Sequence, residues 1–324
     1  MSWISGPTLV FALAAGLVAA WLVYRIRANH RLVRPPVLDA AGRPYEIVEF
    51  TLSDGSRVPL LDAGQGPAIV MIPGADGIHQ TWRHQVPDLA KGHRVLSADL
   101  RSRVSGDADF DLLCRDVVEL LDALGVERAV VVGQSLGGAI ALRLAVRYPE
   151  RVRGLVVANS LTRVSYRHVG LNRALLVPLA MATTRYLPTS LARAFARLWS
   201  RLVVWVYDDS PGSERVIDYV FHTGPRTVPP SVSGARVGLL KGEDLRPELR
   251  RIEAPALIVK GPRDTYVPVA WSREIAGLVP DAEYAEVPGT GHCSHISMPD
   301  TFNAILLEWL YGGARTPDSR EAEA

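Results

Sequence analysis

The sequence predicts an α/β fold in which a mainly parallel β-sheet is flanked by helices. Short apolar runs typical of buried strands alternate with segments whose apolar residues recur at helical spacing. The strand-like runs are mostly continuously apolar, as at residues 129–132, which indicates strands covered on both faces. A chain of 324 residues, 48% apolar and 22% charged, is long enough for one large domain with an insertion or for two smaller domains.

The predicted elements follow in a regular order from residue 46 onwards. A β-hairpin is predicted at 46–62, turned at Asp54-Gly55. Further strands are predicted at 66–74, 93–99, 129–132, 152–159, 254–261 and 282–287, and helices at 111–124, 139–148, 270–278 and 301–311. The resulting domain boundaries are 46–160 and 251–312 for the core, 161–250 for a helical cap that interrupts the alternation, and 313–324 for a disordered tail.

The N-terminal segment differs in composition from the core. Residues 7–24 are 18 residues without a charge, and about 20 are typical of a membrane-spanning helix. Arginines follow this run and none precedes it, which predicts a single-pass anchor with the N-terminus outside and the main domain in the cytoplasm. The alternative is an export signal. We therefore expect a membrane anchor and basic segment at 1–34, and a proline-containing linker at 35–45.

Composition also excludes several classes of partner. The net charge is +2, and no basic cluster with interleaved aromatic residues indicates nucleic-acid binding. The two cysteines, Cys114 and Cys293, do not form part of a zinc-binding spacing. We therefore expect no nucleic-acid partner, no metal ion and no organic cofactor.

A serine between two glycines is the most informative motif of the chain. Ser135 lies in the sequence Gly133-Gln134-Ser135-Leu136-Gly137, between a predicted strand and a predicted helix. At such a strand-to-helix turn the chain is too tight for side chains at Gly133 and Gly137, and the serine hydroxyl is exposed at the edge of the sheet. The alternative is an ordinary connection with a structural serine. In its context the motif predicts that Ser135 is a nucleophile.

A histidine and an aspartate follow two later strands and complete a candidate catalytic triad. His292 lies in a glycine-rich loop after the last predicted strand, where an imidazole can reach the serine and act as general base. Asp264 follows the strand before it and can orient the imidazole. The other position for an acid, after the strand that follows Ser135, offers Asn159 and Ser160, and no Asp or Glu occurs from 151 to 207.

An oxyanion site requires two backbone N–H groups near the nucleophile. Leu136, directly after Ser135, is expected to supply one of them. The loop that follows the strand at 66–74 is expected to supply the other, with Gly74 as a structural turn residue and Ala75 as the donor.

These motifs together resemble the α/β-hydrolase family from about residue 46 to 311. The matching pieces, in order, are Ile72-Pro73-Gly74, Trp82-Arg83-His84-Gln85-Val86-Pro87, Ala98-Asp99-Leu100-Arg101, Gly133-Gln134-Ser135-Leu136-Gly137-Gly138, Gly261-Pro262-Arg263-Asp264 and Gly291-His292. The chain order Ser135, Asp264, His292 is that of this fold. The resemblance implies the serine-nucleophile, esterase- or lipase-like branch, because epoxide hydrolases and haloalkane dehalogenases have an aspartate at the position of Ser135.

The chain departs from the family pattern at two places. Pro73-Gly74 stands where the family usually has His-Gly, which affects the oxyanion loop. Arg101-Ser102-Arg103-Val104-Ser105 stands where the family often has Arg-Gly-x-Gly-x-Ser, which affects a structural loop.

The first half of the predicted cap is rich in arginine. Its arginines meet no acidic residue before Asp208: Arg163, Arg167, Arg173, Arg185, Arg193, Arg197 and Arg201. A lid with an apolar inner face and solvated arginines explains this spacing. The further hypothesis is that the basic face meets anionic lipid headgroups.

The functional prediction is a membrane-anchored serine hydrolase that cleaves a lipophilic carboxylic ester, such as a monoacylglycerol, through an acyl-enzyme. The same triad also serves a thioesterase, a lactonase, a carbon–carbon bond hydrolase or a cofactor-free perhydrolase, which the sequence does not separate. An alternative from another class is a non-catalytic binding protein that retains the fold.

Overall fold

The computed structural model of the protein describes residues 6–30, 34–104, 109–164, 191, 193–195, 197, 212–224 and 227–312. Its centre is an eight-stranded sheet with the order β1-β2-β4-β3-β5-β6-β7-β8. The strands are β1 (Ile47–Thr51), β2 (Arg57–Ala63), β3 (Ala68–Ile72), β4 (Arg94–Ala98), β5 (Ala129–Gln134), β6 (Val152–Ala158), β7 (Ala256–Lys260) and β8 (Ala282–Glu286). Strands β3 to β8 pair in parallel, and the hairpin of β1 and β2 is joined antiparallel to β4. The predicted mainly parallel sheet is confirmed.

Helices cover both faces of this sheet. The helices within the described residues are α1 (Gly6–His30), α2 (Val86–Leu89), α3 (Asp111–Ala123), α4 (Leu136–Arg147), α5 (Ser213–His222), α6 (Pro230–Gly238), α7 (Val269–Leu278), α8 (Ser294–Ser297) and α9 (Pro299–Tyr311). One apolar core lies between the sheet and α3, α4 and α7, and a second lies between the opposite face and α2 and α9. Val131 contributes to the first core, whereas Val130 and Val132 contribute to the second. Because successive strand residues face opposite sides, a strand buried on both faces must be continuously apolar.

The apolar N-terminal segment forms helix α1. Several of its apolar side chains are exposed, among them Phe11 and Leu17. Within the part of the chain that the structure describes, no helix has the length and apolar character of a membrane span. The membrane anchor predicted at residues 7–24 is therefore unsupported, and the cytoplasmic orientation stays a prediction.

The segment predicted as a linker at 35–45 packs against the core instead of extending away from it. Val37 is buried in the same apolar core as Leu61. Just before this segment, Arg34 Nη1 lies 2.9 Å from Asp99 Oδ2, and Asp99 Oδ1 lies 2.6 Å from His79 Nδ1. The prolines therefore guide a chain segment along the surface of the domain and do not create a free spacer.

The described part of the predicted cap at 161–250 contains α5, α6 and a 3-10 turn at Arg246–Arg251. Helix α5 buries Val216, Val220 and Phe221 in a third apolar cluster, which also contains Ile78 of the core and Ile296 of α8. Most of the arginine-rich half of the cap and the tail at 313–324 lie outside the described residues. The lipid-facing role of that half stays a prediction.

Candidate active site

Ser135 occupies the turn between β5 and α4 with a backbone conformation that is rare for residues other than glycine. Its φ is 54° and its ψ is −118°. A Cβ atom at Gly133 would lie 2.2 Å from the carbonyl oxygen of Gly137, so a side chain there collides with the backbone of the turn. The strained turn places the Ser135 hydroxyl beyond the carboxyl end of β5, where a substrate can approach it.

The structure brings the three predicted triad residues into one hydrogen-bonded chain. His292 Nε2 lies 3.0 Å from Ser135 Oγ, and His292 Nδ1 lies 3.0 Å from Asp264 Oδ2. The side chain of Gln134 donates a 3.1 Å hydrogen bond to the carbonyl of His292 and helps to hold its loop. The predicted nucleophile, base and orienting acid therefore have the mutual geometry that proton transfer requires.

Asp264 is buried and accepts hydrogen bonds at both carboxylate oxygens. Oδ1 receives the backbone N–H groups of Tyr266 and Val267 at 2.9 and 3.0 Å. Oδ2 receives His292, the amide of Asn159 at 3.0 Å and the ammonium of Lys260 at 2.6 Å. Burial alone would raise the pKa of Asp264, but the His292 and Lys260 interactions hold this pKa well below its usual range. Asp264 is therefore ionised near neutral pH.

The sequence interpretation did not identify Asn159 and Lys260 as partners of Asp264. Asn159, at the alternative acid position after β6, has a φ of 47° and supports Asp264 instead of replacing it. Its amide also bonds the Gly291 carbonyl, and its oxygen accepts the Ser294 hydroxyl at 2.7 Å. Asn159 thus links the acid to the loop of His292. The sequence did contain a signal for Lys260, because a lysine ends an apolar strand four residues before Asp264.

The predicted oxyanion residues lie beside the nucleophile. Leu136 is the first residue of α4, and N–H groups of a first helical turn have no acceptor within the helix. A Cβ atom at Gly74 would lie 3.5 Å from Ser135 Cβ and 2.6 Å from Gln134 Oε1, so the loop after β3 passes directly next to Ser135. Ala75 follows Gly74 in this loop. The oxyanion roles of Leu136 and Ala75 stay predictions.

The buried side chain of Arg236, from cap helix α6, holds this loop. Its Nη1 donates to the carbonyls of Ala75 and Asp76 at 3.3 and 2.7 Å. Its Nη2 donates to Leu100 at 2.5 Å, and its Nε to Arg101 at 2.9 Å. One guanidinium therefore ties the oxyanion loop and the loop after β4 to the cap. Because all four acceptors are backbone carbonyls, no side-chain pattern in the sequence indicated this contact.

A second cap contact meets the same loop. The hydroxyl of Tyr219, on α5, donates to Asp76 Oδ2. Burial raises the pKa of Asp76, and burial together with the Asp76 charge raises the pKa of Tyr219 well above its usual range. The residue after the predicted donor Ala75 is thus fixed at its backbone by Arg236 and at its side chain by Tyr219.

Replacing Arg236 by methionine is expected to lower both stability and turnover. The variant leaves buried carbonyls without donors, which we expect to cost at least about 2 kcal/mol of unfolding free energy. With the loop no longer held, kcat should fall more than KM changes, since the oxyanion forms only during reaction. Denaturant unfolding and steady-state kinetics measure both effects.

The control is Arg57→Met, which removes an exposed arginine whose ion-pair partner Glu49 is also exposed. It should leave both quantities within experimental error. Wild-type stability and kcat in the Arg236→Met variant would contradict the role of Arg236. Arg236→Lys should not rescue the loss, because one ammonium cannot reproduce a planar set of donors.

Comparison with known proteins identifies the family. Residues 67–299 match the family model of the alpha/beta hydrolase fold. The chain belongs to the alpha/beta hydrolase family. Within the described residues, this alpha/beta hydrolase has no group of three His, Cys, Asp or Glu side chains that could hold a metal ion.

The chain is similar to hydrolases that are named for several kinds of substrate. A 2-hydroxy-6-oxo-6-phenylhexa-2,4-dienoate hydrolase from Burkholderia cepacia is 29% identical over 271 residues, covering 79% of this chain and 92% of its own. A putative carbamate hydrolase from Variovorax paradoxus is 28% identical, covering 76% of this chain and 92% of its own. The enol-lactonase of Burkholderia xenovorans superimposes with a TM-score of 0.64 at 25% identity, covering 81% of this chain and 99% of that structure.

Proposed function

We propose that this alpha/beta hydrolase is a serine hydrolase that cleaves a carbon–carbon bond next to a ketone. The proposal that the protein is a serine hydrolase rests on the hydrogen-bonded chain from Ser135 through His292 to Asp264. Such a chain activates a hydroxyl for attack on a carbonyl carbon. A purely binding protein has no need for this geometry, nor for the strained backbone at Ser135.

The relatives support the choice of bond. The Burkholderia cepacia relative is named for a substrate with a ketone and no ester. Hydrolysis of such a molecule must break a bond between carbon atoms. The lipophilic ester that the sequence analysis put first fits these relatives less well than its carbon–carbon hydrolase and lactonase alternatives do.

The proposed reaction uses the site in two stages. His292 Nε2 takes the proton of Ser135 Oγ as the oxygen attacks the ketone, and the N–H groups of Leu136 and Ala75 stabilise the negative oxygen. The imidazolium then protonates the departing carbon, and the acyl group stays on Ser135. Water, deprotonated by His292, releases the acid and restores the serine. Because the departing carbon carries the electron pair of the broken bond, a substrate with a conjugated enol is favoured.

An enol lactone is a second candidate substrate, favoured by the similarity to the Burkholderia xenovorans enzyme. Attack by Ser135 on its carbonyl breaks the ring carbon–oxygen bond and gives an acyl-enzyme whose acyl chain carries the released enol, which His292 protonates. The two candidates differ only in the leaving atom, so the catalytic geometry serves both.

Replacing Ser135 by alanine is expected to abolish labelling by a fluorophosphonate probe. The same variant should lose turnover of 2-hydroxy-6-oxo-6-phenylhexa-2,4-dienoate by at least roughly 10⁴-fold, because Ser135 Oγ is the atom that forms the acyl bond. For the wild type, kcat/KM should be highest for this dienoate, next for an enol lactone and lowest for a long-chain monoacylglycerol. Gel fluorescence and absorbance assays measure these quantities.

The matched control is Ser53→Ala, at an exposed serine whose hydroxyl contacts Glu119. It should be labelled as the wild type is. Absence of labelling in the wild type would exclude a serine hydrolase. The highest kcat/KM on monoacylglycerol would instead support the ester prediction.

A further inference from the structure

The chain uses lysine at three positions only, whereas arginine supplies the other 33 of its 36 basic residues. One of these lysines, Lys260, is fully buried at the end of β7. The other two, Lys91 and Lys241, are exposed. A buried cation is costly unless it is paired, so its partner must explain its presence.

The partner of Lys260 is the acid of the triad. The ammonium nitrogen lies 2.6 Å from Asp264 Oδ2 and 2.7 Å from the Val267 carbonyl oxygen. An ammonium group has three donors and no acceptor, and both of these neighbours are acceptors. Burial lowers the pKa of Lys260, and the adjacent Asp264 carboxylate opposes this effect. The charged form of Lys260 is therefore the one that the site accommodates.

We propose that Lys260 is a positioning residue of the triad, whose ammonium shares Asp264 Oδ2 with His292 and weakens the attraction of that carboxylate for the imidazolium. This inference rests on the proposed serine hydrolase function. Both cation-forming groups contact the same oxygen atom, at 2.6 and 3.0 Å. Lys260 Nζ and His292 Nδ1 are therefore separated by no more than the combined length of those two contacts.

The sign of the effect follows from the charges. A proton on His292 creates a second cation beside a carboxylate that already pairs with Lys260. Repulsion between the two cations disfavours the imidazolium, so removal of the Lys260 charge is expected to favour it. Without the Lys260 charge the carboxylate would serve His292 alone, and the imidazolium would persist to higher pH.

Other charged and titratable groups lie around the cluster of Lys260, Asp264 and His292, and their contacts and charges must also be considered. On β8, Glu286 is in register with Lys260, but its carboxylate accepts the Tyr284 hydroxyl at 2.8 Å and faces Arg273. On α8, His295 is buried. Its burial, followed by the charge of His292, lowers the pKa of His295 to about 3, so it carries no charge near neutral pH.

Other groups near His292 stand outside the carboxylate cluster. The Tyr266 ring lies 5.3 Å from the His292 ring, centroid to centroid, and Cys293 follows His292 in the chain. His84, which interacts electrostatically with His295, has its pKa lowered to about 4 by burial, followed by the charge of Arg83. These groups are the same in wild type and in a Lys260 variant, so a change in titration reports on Lys260.

The experiment compares Lys260→Met and Lys260→Gln with the wild type in the full chain. The pH titration of the His292 ring is followed by NMR, with its signal assigned by its loss in His292→Gln. In parallel, the rate constant of fluorophosphonate labelling of Ser135 is measured against pH. Both variants are expected to move the His292 midpoint and the acidic limb of labelling upward by about one to two pH units. Lys241→Met, which removes an exposed lysine, should move neither.

The two variants separate charge from packing. Lys260→Gln retains a hydrogen-bond donor for Asp264, so a midpoint that shifts in both variants identifies the charge as the cause. An unshifted midpoint in both would overturn the proposal. If Lys260→Met does not fold, the Lys260→Gln titration alone decides. Absence of fluorophosphonate labelling in the wild type would contradict the proposed function. The NMR titration of His292 would still test whether the Lys260 charge affects the imidazole.

Discussion

Replacing Asp264 by asparagine is expected to remove nearly all activity and to destabilise the fold at the same time. Asp264 Oδ2 accepts three donors and Oδ1 accepts two, so an amide NH₂ in either orientation faces donors. The buried ammonium of Lys260 also loses its counter-charge, which costs about 3–5 kcal/mol of unfolding free energy. Turnover should fall roughly 10⁴-fold, because His292 loses the partner that orients it. Denaturant unfolding and steady-state assays measure the two effects.

The double variant Asp264→Asn/Lys260→Met separates these effects. It removes the unpaired cation, so most of the lost stability should return, while turnover stays at the level of Asp264→Asn. Additive stability losses in the double variant would show that Lys260 and Asp264 are not energetically coupled, contrary to their 2.6 Å contact.

Replacing Gly137 by alanine is the second change with a large expected effect. An added Cβ atom would lie 2.2 Å from the Ile72 carbonyl oxygen and 2.5 Å from that of Pro73. These are backbone atoms at the end of β3, where the oxyanion loop begins, so α4 and this strand must move apart. We expect a loss of about 3 kcal/mol in unfolding free energy. Labelling of Ser135 should slow by roughly 10²-fold, because displaced donors no longer match the oxyanion.

Gly277→Ala is the matched control for this prediction. Gly277 lies within α7 and has no atom near the position of an added Cβ. Alanine there should raise the stability by up to about 1 kcal/mol and leave labelling unchanged. Equal behaviour of the Gly137 and Gly277 variants would contradict the close approach of α4 and β3.

The sequence predicted the sheet and the cluster of Ser135, Asp264 and His292 because both depend on local patterns. Apolar runs set the strands, and residues that follow the carboxyl ends of parallel strands must meet at one edge. The helix predicted at 301–311 begins two residues earlier in the structure, at Pro299, since proline is favoured in the first helical turn.

Local sequence patterns did not predict the contacts of three residues, namely Arg236, Lys260 and Val37. Arg236 binds carbonyls that any sequence would supply, and 160 or more residues separate it from Ala75 and Asp76. Lys260 is the last residue of an otherwise apolar strand, and its partner is known only once the loop after β7 has its path. Val37 lies among prolines that favour an extended chain, yet the surface that receives it is built by distant strands.

The bond that is cleaved could not be predicted from the triad, because every acyl transfer of this kind uses the same three groups. In the sequence analysis, the predicted membrane anchor and the arginine-rich segment favoured a lipid ester as substrate. The relatives instead favour a carbon–carbon bond or a lactone, and the described residues give the anchor no support.

The contact between Arg236 and the oxyanion loop has a consequence for protein engineering. In many designs an inserted cap is treated as an exchangeable module that alters substrate choice and leaves the chemistry intact. In this hydrolase, α6 supplies the donors that hold Ala75 and Asp76 in place. A chimera that replaces 230–238 would therefore leave the loop of Ala75 and Asp76 without this support unless the graft returns a guanidinium to the same point.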